Sequence, residues 1–284
     1  MRPRRITHSK YPFELITKLN RSNHTSVSKE NPRNRMTDKV SNTEVMHICS
    51  VVCNQPNLIS SLHESVQSTC ILPWKMHIVD NGSSERNLDA SKSICADSKI
   101  GFYSRTSEYG LSRSSQAHGD ALDYIVKTIG SENSLILIVD SDMFFVKKRW
   151  DEMLRSRLPV SGHITTVRSE TIISPAAFIS LFRKRTIKNK RISFMPEVNK
   201  TGKAVLGKDV GSQLARIPKS RWVSLENVQA GGKQGITSIA GSYDISMDGV
   251  PIVSHLSRGR MSGRRKDFME AWLDQCREYA KTHN

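Results

Sequence analysis

The stretch Ser134-Leu-Ile-Leu-Ile-Val139, followed at once by Asp140-Ser141-Asp142, limits what this chain can fold into more than any other segment. An unbroken apolar run without polar alternation suits a strand buried on both faces, as in the centre of a parallel sheet covered by helices. Its abrupt end places two carboxylates at the carboxyl end of that strand, where open α/β sheets bind their ligands.

The preceding residues supply the rest of such a sheet. His47–Cys53 reads as a first strand, and Leu58, Ile59, Leu62 and Val66 recur at helical spacing after Pro56. Met76–Val79 reads as a second strand ending in Asp80-Asn81-Gly82-Ser83-Ser84, with a polar helix over Asn87–Ala96 and a third strand over Lys99–Ser104. Ala117, Ala121, Leu122, Ile125, Val126 and Ile129 form the apolar face of a helix that Gly130 closes. Strands alternating with helices imply a doubly wound sheet, with Asp80–Ser84 and Asp140–Asp142 both at strand ends. Beyond it, Trp150–Leu158 reads as a helix, His163–Val167 as a strand and Pro175–Arg183 as a short helix. The stretch to Lys208 reads as a loop, Ser212–Arg216 as a helical turn, and Trp222–Val228 and Gly249–Leu256 as strands. Phe268, Met269, Trp272, Leu273, Cys276 and Tyr279 mark the apolar face of a last helix.

Strand residues two apart point the same way, so Asp140 and Asp142 converge on one spot. Like charges that close call for a cation, and a hard divalent ion also bridges a diphosphate. Aspartates are also common simply as turn and capping residues at strand ends, and spacing does not separate the two roles. The Asn81-Gly82-Ser83-Ser84 turn offers backbone N–H donors to a polar ligand.

Val79-Asp-Asn-Gly-Ser-Ser84, His118-Gly-Asp-Ala-Leu122 and Val139-Asp-Ser-Asp142, in this order and at these separations, resemble the nucleotide-sugar-dependent glycosyltransferases of the GT-A fold, specifically the family-2-like group. The resemblance covers about residues 45–146 well and the remainder loosely. Cys53-Asn54-Gln55 departs from the usual residues after the first strand. It implies an α/β fold of GT-A type, with a Rossmann-like, mostly parallel sheet flanked by helices and a mixed C-terminal half. It divides the chain into a basic tail (1–44), a transferase domain (45–260, with a nucleotide-binding half 45–146 and an acceptor half 147–260) and an amphipathic helix (261–284).

The implied function is transfer of a sugar from a nucleoside-diphosphate sugar to a hydroxyl on a glycan, lipid or protein, with inversion and with Mn²⁺ or Mg²⁺. By the same resemblance Asp80 contacts the base or ribose, Asp140 faces the ribose and the metal, and Asp142 binds the metal. Cys53, Asn54, Asn81, Gly82, His118 and Ser141 line the donor. His255, ending an apolar strand, is the further metal ligand, and Arg258 and Arg260 suit the diphosphate. Asp209, within Gly207-Lys-Asp-Val-Gly211, stands where the family keeps its general base, with Glu197 and Glu226 as substitutes. Each has an ordinary alternative: a hydrogen-bonded strand-end His, surface arginines, a helix-capping Asp.

The formal charge of +16 points to polyanions in general. Residues 1–40 hold ten Lys/Arg against Glu14, Glu30 and Asp38 and lack apolar periodicity, so they read as a disordered arm. Residues 183–203 hold eight against Glu197, suited to an anionic donor, acceptor or membrane surface. A third patch runs from Arg258 to Lys266. Neither a membrane-spanning run nor a secretory h-region is expected, and five cysteines without a C-x-x-C pair suit free thiols in a reducing, cytoplasmic setting, with the basic patches able to touch a membrane. Two other functions stay open. A nucleotidyltransferase would want a Gly-rich basic loop after the first strand, where Asn54-Gln-Pro-Asn57 stands. A nucleic-acid-binding protein on a decayed transferase fold would want aromatics among the basic runs, and aromatics are 6% of the chain.

Overall fold

The apolar run forms β4 (Leu135–Val139), and its alternate side chains divide between two cores. Leu135, Leu137 and Val139 enter one core while Ile136 and Ile138 enter the other, and every one is at most 1% exposed. The computed structural model describes residues 44–98, 100–105, 114–168, 170–198, 210–217, 223–229, 235–239, 242–256 and 265–284, all within the unit Ser41–Asn284.

The first half alternates as the sequence implies: β1 (Met46–Val52), α1 (Pro56–Thr69), β2 (Trp74–Asn81), α2 (Glu85–Asp97), β3 (Gly101–Arg105) and α3 (Ser114–Thr128) precede β4. Strands β3-β2-β1-β4 lie side by side and parallel, so their carboxyl ends share one edge. Ile59, Leu62 and Val66 of α1, with Cys95 of α2, cover one face of this sheet. Ala121, Leu122, Ile125 and Val126 of α3 cover the other, at the spacing of one helical face.

After β4 come β5 (Met143–Phe145), α4 (Trp150–Arg155), β6 (Val160–Arg168), β7 (Glu170–Arg183), α5 (Lys184–Lys190) and a 3₁₀ turn at Ser212–Arg216. β8 (Val223–Ser224), β9 (Glu226–Gln229), β10 (Tyr243–Met247), β11 (Val250–His255) and α6 (Arg265–His283) complete the described elements. β7 pairs antiparallel with both β4 and β6, giving the seven-stranded order β3-β2-β1-β4-β7-β6-β8. A second, antiparallel sheet has the order β5-β11-β10-β9. This is the mostly parallel, helix-flanked α/β sheet with a mixed second half that the sequence implies.

Two local expectations change. Pro175–Arg183 is the end of a strand rather than a helix, with Leu181 entering one core and Phe182 the other. Its apolar residues satisfy either period. Pairing decides, because β4 would otherwise leave one edge of backbone unpaired beside two apolar cores. The basic stretch after Arg183 opens with helix α5 instead of a loop.

Two tryptophans hold the second sheet in place. Trp150 is fully buried, stacks on Phe145 of β5 at 3.9 Å and donates its Nε1–H to Thr69 Oγ1 of α1 at 3.0 Å. Trp272 of α6 is fully buried, meets Phe144 edge-on and donates to Ser254 Oγ of β11 at 3.0 Å. α6 therefore backs the strand whose last residue is His255.

Candidate metal and nucleotide site

β4 ends at Val139, and the chain turns through Asp140-Ser141-Asp142 into β5, so this motif joins the two sheets. Asp140 N–H donates to Phe178 O of β7 at 2.9 Å, and Leu256 N–H donates to Asp142 O at 2.9 Å. The second of these bonds fixes the end of β11 against the motif. His255 pairs with Met143 across β5–β11, which sets its imidazole beside both aspartates. The carboxylates converge through this turn rather than through strand alternation.

Donor atoms of Asp140, Asp142 and His255 all lie within 4.8 Å of one another. His255 Nε2 is 2.9 Å from Asp142 Oδ1 and 3.7 Å from Asp140 Oδ2. Asp142 and His255 are buried, with side chains 2% and 6% exposed, whereas the Asp140 side chain is 25% exposed. Two carboxylate oxygens and one imidazole nitrogen are a donor set suited to Mn²⁺ or Mg²⁺, and one accessible side leaves room for ligands from a substrate. The residues present therefore fit such an ion. His118, in the first turns of α3, stands on the far side of Asp140, its Nε2 3.9 Å from Oδ1. The structure thus sets it beside the carboxylate cluster.

Asp80, the last residue but one of β2, lies two strands away on the shared edge, opposite Val52 of β1 and Ser104 of β3. Adjacent strands lie about 4.8 Å apart, so a ligand reaching from Asp140 to Asp80 spans about 10 Å. Asp80 is 1% exposed; its Oδ1 accepts from Ser83 N–H at 3.0 Å, while its Oδ2 has no hydrogen-bond partner among the described residues. Asn81 Oδ1 is likewise buried without a partner among them. Buried acceptors left unmatched are costly and call for a ligand or water. Gly82 has φ +84°, the left-handed turn that lets the loop fold back so that Ser83 N–H reaches Asp80.

Asn54, expected to line the donor, also ties two loops together. Its backbone sits at φ +55°, a conformation Asn tolerates better than most residues. Its N–H donates to Ser83 Oγ at 2.7 Å, and its Oδ1 accepts from Ser84 N–H at 2.8 Å and Asn87 Nδ2 at 3.1 Å. Asn54 thereby latches the β1–α1 loop to the β2–α2 loop. The neighbouring Cys53 thiol is pushed up from its ordinary pKa, first by burial and then by the Asp80 carboxylate, so it stands as a neutral thiol. All five cysteines are free.

A cavity of about 720 Å³ opens beside this latch, lined among others by Gln55, Asn57, Arg86, Asn87, Leu256 and Met269. Of these, Leu256 directly follows His255 in the chain. Arg86 in α2 is a cation that no sequence pattern marked. Arg105, at the end of β3 and paired with Asp120 of α3, is another: its guanidinium lies over the Tyr124 ring at 5.1 Å.

Asp209, Arg258 and Arg260 lie outside the described residues, as do the side chain of Glu226 and most of the C-terminal basic patch. Glu197 is exposed. The basic segment at Arg183–Arg191 sits where β7 ends, beside Leu135 at the start of β4. At about 3.3 Å per residue that is a strand's length from Asp140, on the opposite edge of the sheet. It therefore does not face the carboxylate cluster. Lys184 instead donates to the carbonyls of Lys127, Ile129 and Gly130 at the end of α3.

No protein-family model matches the chain, and no curated protein matches it. Solved structures do. Mannosyltransferase PcManGT from Pyrobaculum calidifontis, in complex with GDP-Man and Mn²⁺, is 14% identical with a TM-score of 0.45 over 63% of this chain and 53% of that one. S. aureus TarS 1–349 in complex with UDP-GlcNAc is 14% identical, with a TM-score of 0.42 over 63% and 55%. Glucosyl-3-phosphoglycerate synthase from Mycobacterium tuberculosis, with Mn²⁺ and UDP, is 17% identical, with a TM-score of 0.32 over 42% and 44%. The chain spans 30%, 52% and 49% of the length of three further TarS structures. These are similarities of chain path, and the site is read from its own geometry.

Proposed function

We propose that this chain is a metal-dependent glycosyltransferase that moves a sugar from a nucleoside-diphosphate sugar to a hydroxyl acceptor with inversion. The observation that carries the reading is the convergence of Asp140, Asp142 and His255 at the carboxyl edge of the sheet. A divalent ion held by these three residues would neutralise charge on the leaving nucleoside diphosphate as the glycosidic bond breaks. The buried pair Asp142–His255 fixes the inner side of that site, and the more accessible Asp140 presents its carboxylate toward the ligand.

Asp80 Oδ2 and Asn81 Oδ1, buried acceptors in need of donors, suit the N–H and O–H groups of a nucleoside. Asn54 serves that nucleoside indirectly, by holding the two loops that frame it. His118 suits a contact to the donor beside Asp140. Arg258 and Arg260, just past His255 in the sequence, suit the diphosphate, and Asp209 suits the general base that takes the acceptor's proton. The acceptor is a hydroxyl on a glycan, lipid or protein. Among the described residues no helix is long and apolar enough to cross a membrane. A cytoplasmic enzyme touching a polyanion or an anionic membrane through its basic segments is consistent with the chain's charge.

Calorimetry with Mn²⁺ and a panel of UDP-, GDP- and dTDP-sugars tests this directly. One nucleotide sugar should bind only when Mn²⁺ is present, and Asp142→Asn should abolish that dependence and lower turnover by at least about a hundredfold. If no donor binds, or if Asp142→Asn behaves as wild type, the proposal fails. Salt-dependent binding to random DNA without nucleotide-sugar binding would favour a nucleic-acid role instead.

A further inference from the structure

His255 has two ring nitrogens, and both are occupied by named oxygens. Nε2 faces Asp142 Oδ1 at 2.9 Å, and Nδ1 meets Tyr243 Oη at 2.6 Å. Tyr243 is the direct cross-strand partner of His255 in the β10–β11 pair, so register alone delivers the phenol to the imidazole. The two rings meet edge-on, with centroids 4.8 Å apart, and Phe178 stacks on the open face of the imidazole at 5.9 Å. The same Phe178 accepts the Asp140 N–H through its carbonyl. The imidazole is thus held in plane by two aromatic neighbours and in rotation by the Tyr243 hydroxyl and the Asp142 carboxylate.

A neutral imidazole carries one N–H and one lone pair. For Nε2 to offer its lone pair to a cation shared with Asp140 and Asp142, the proton must sit on Nδ1. Tyr243 Oη must then accept it. Without an ion, Nε2–H can donate to Asp142 Oδ1, and Nδ1 then accepts from the tyrosine O–H. A carboxylate or carbonyl at that place could only accept. A phenol can do either, so it partners either tautomer without the ring turning.

We propose that Tyr243 is the positioning residue of the metal site: its hydroxyl orients the His255 ring and accepts the Nδ1–H of the tautomer whose Nε2 is free for the ion. The inference rests on the metal reading of the Asp140–Asp142–His255 cluster and adds a residue that touches neither the ion nor the substrate. Partners of this kind, bonded to the second nitrogen of a ligating histidine, commonly govern metal affinity by ten- to a hundredfold.

Tyr243→Phe tests it, because the ring and its packing stay and only the hydroxyl goes. Mn²⁺ affinity of the full chain, read by calorimetry at a temperature where both proteins are folded, should fall about ten- to a hundredfold. With ¹⁵N-labelled histidine and Mg²⁺, the wild type should show a slowly exchanging Nδ1–H of His255 that Tyr243→Phe loses. A merely structural tyrosine could move the melting temperature but would leave that signal and the Mn²⁺ affinity in place. If the wild type binds Mn²⁺ and Tyr243→Phe binds it equally well, the positioning role is wrong while the metal site stands. If the wild type binds no Mn²⁺ at all, both readings fall together.

Discussion

Acid should destabilise this fold through a pair of histidines, His77 above all. His77 of β2 is 9% exposed, its Nε2 3.0 Å from His47 Nδ1 and its Nδ1 3.3 Å from Tyr103 Oη. The site has no slack, since a Cβ added to Gly101 would lie 2.9 Å from His77 Nδ1. Burial, then His47, then Lys75 lower the His77 pKa to about 4, and burial with Lys75 and Lys184 lowers that of His47 as well. A histidine with a depressed folded pKa binds its proton more readily when unfolded. Its contribution is complete above the unfolded value near 6.5 and is lost as pH falls toward 4. For His77 alone, linkage between those two pKa values removes about 2 kcal/mol of stability between about pH 7.5 and about pH 5. His47 acts in the same direction. Buried Asp244 acts oppositely, because burial raises its folded pKa. Urea unfolding of the wild type and of His77→Gln across this window isolates the histidine, since Asp244 contributes equally to both. The pH slope should flatten in His77→Gln by about the calculated amount. An equal slope in the two proteins would refute the argument.

Two further substitutions probe how the site is supported. A Cβ at Gly119 of α3 would lie 2.6 Å from the backbone carbonyl of Phe194, so Gly119→Ala should cost about 1–3 kcal/mol in chemical denaturation. It should also displace residues 193–195, which Asp123 holds through Ser193 Oγ and Phe194 N–H. Trp272→Ala should cost about 3–5 kcal/mol by melting or urea titration and, because Trp272 bonds Ser254 next to His255, should weaken Mn²⁺ binding as well.

The parts of this site that sequence reasoning reaches are those whose structure is written locally. β4 is recognisable because a strand buried on both faces has no polar side to show, and the aspartates that end it must sit at the sheet's carboxyl edge. Asp80 follows for the same reason, its turn being encoded by Gly82 and Ser83 within three residues. Residue type does not show what Asn54 also does, since its amide oxygen latches residues about thirty positions away. Residue type misleads at Pro175–Arg183, where one apolar pattern serves helix and strand alike and the open edge of β4 decides. Tyr243 is the deepest case. Nothing in Tyr-Asp-Ile-Ser-Met distinguishes it from any half-buried strand residue, and its value arises only when the β10–β11 register sets it opposite His255. A shift of one residue in that pairing would turn Tyr243 to the other face of the sheet and leave Nδ1 without its partner. Strand register thus sets both contacts of this histidine, β5–β11 bringing it to the aspartates and β10–β11 bringing Tyr243 to it.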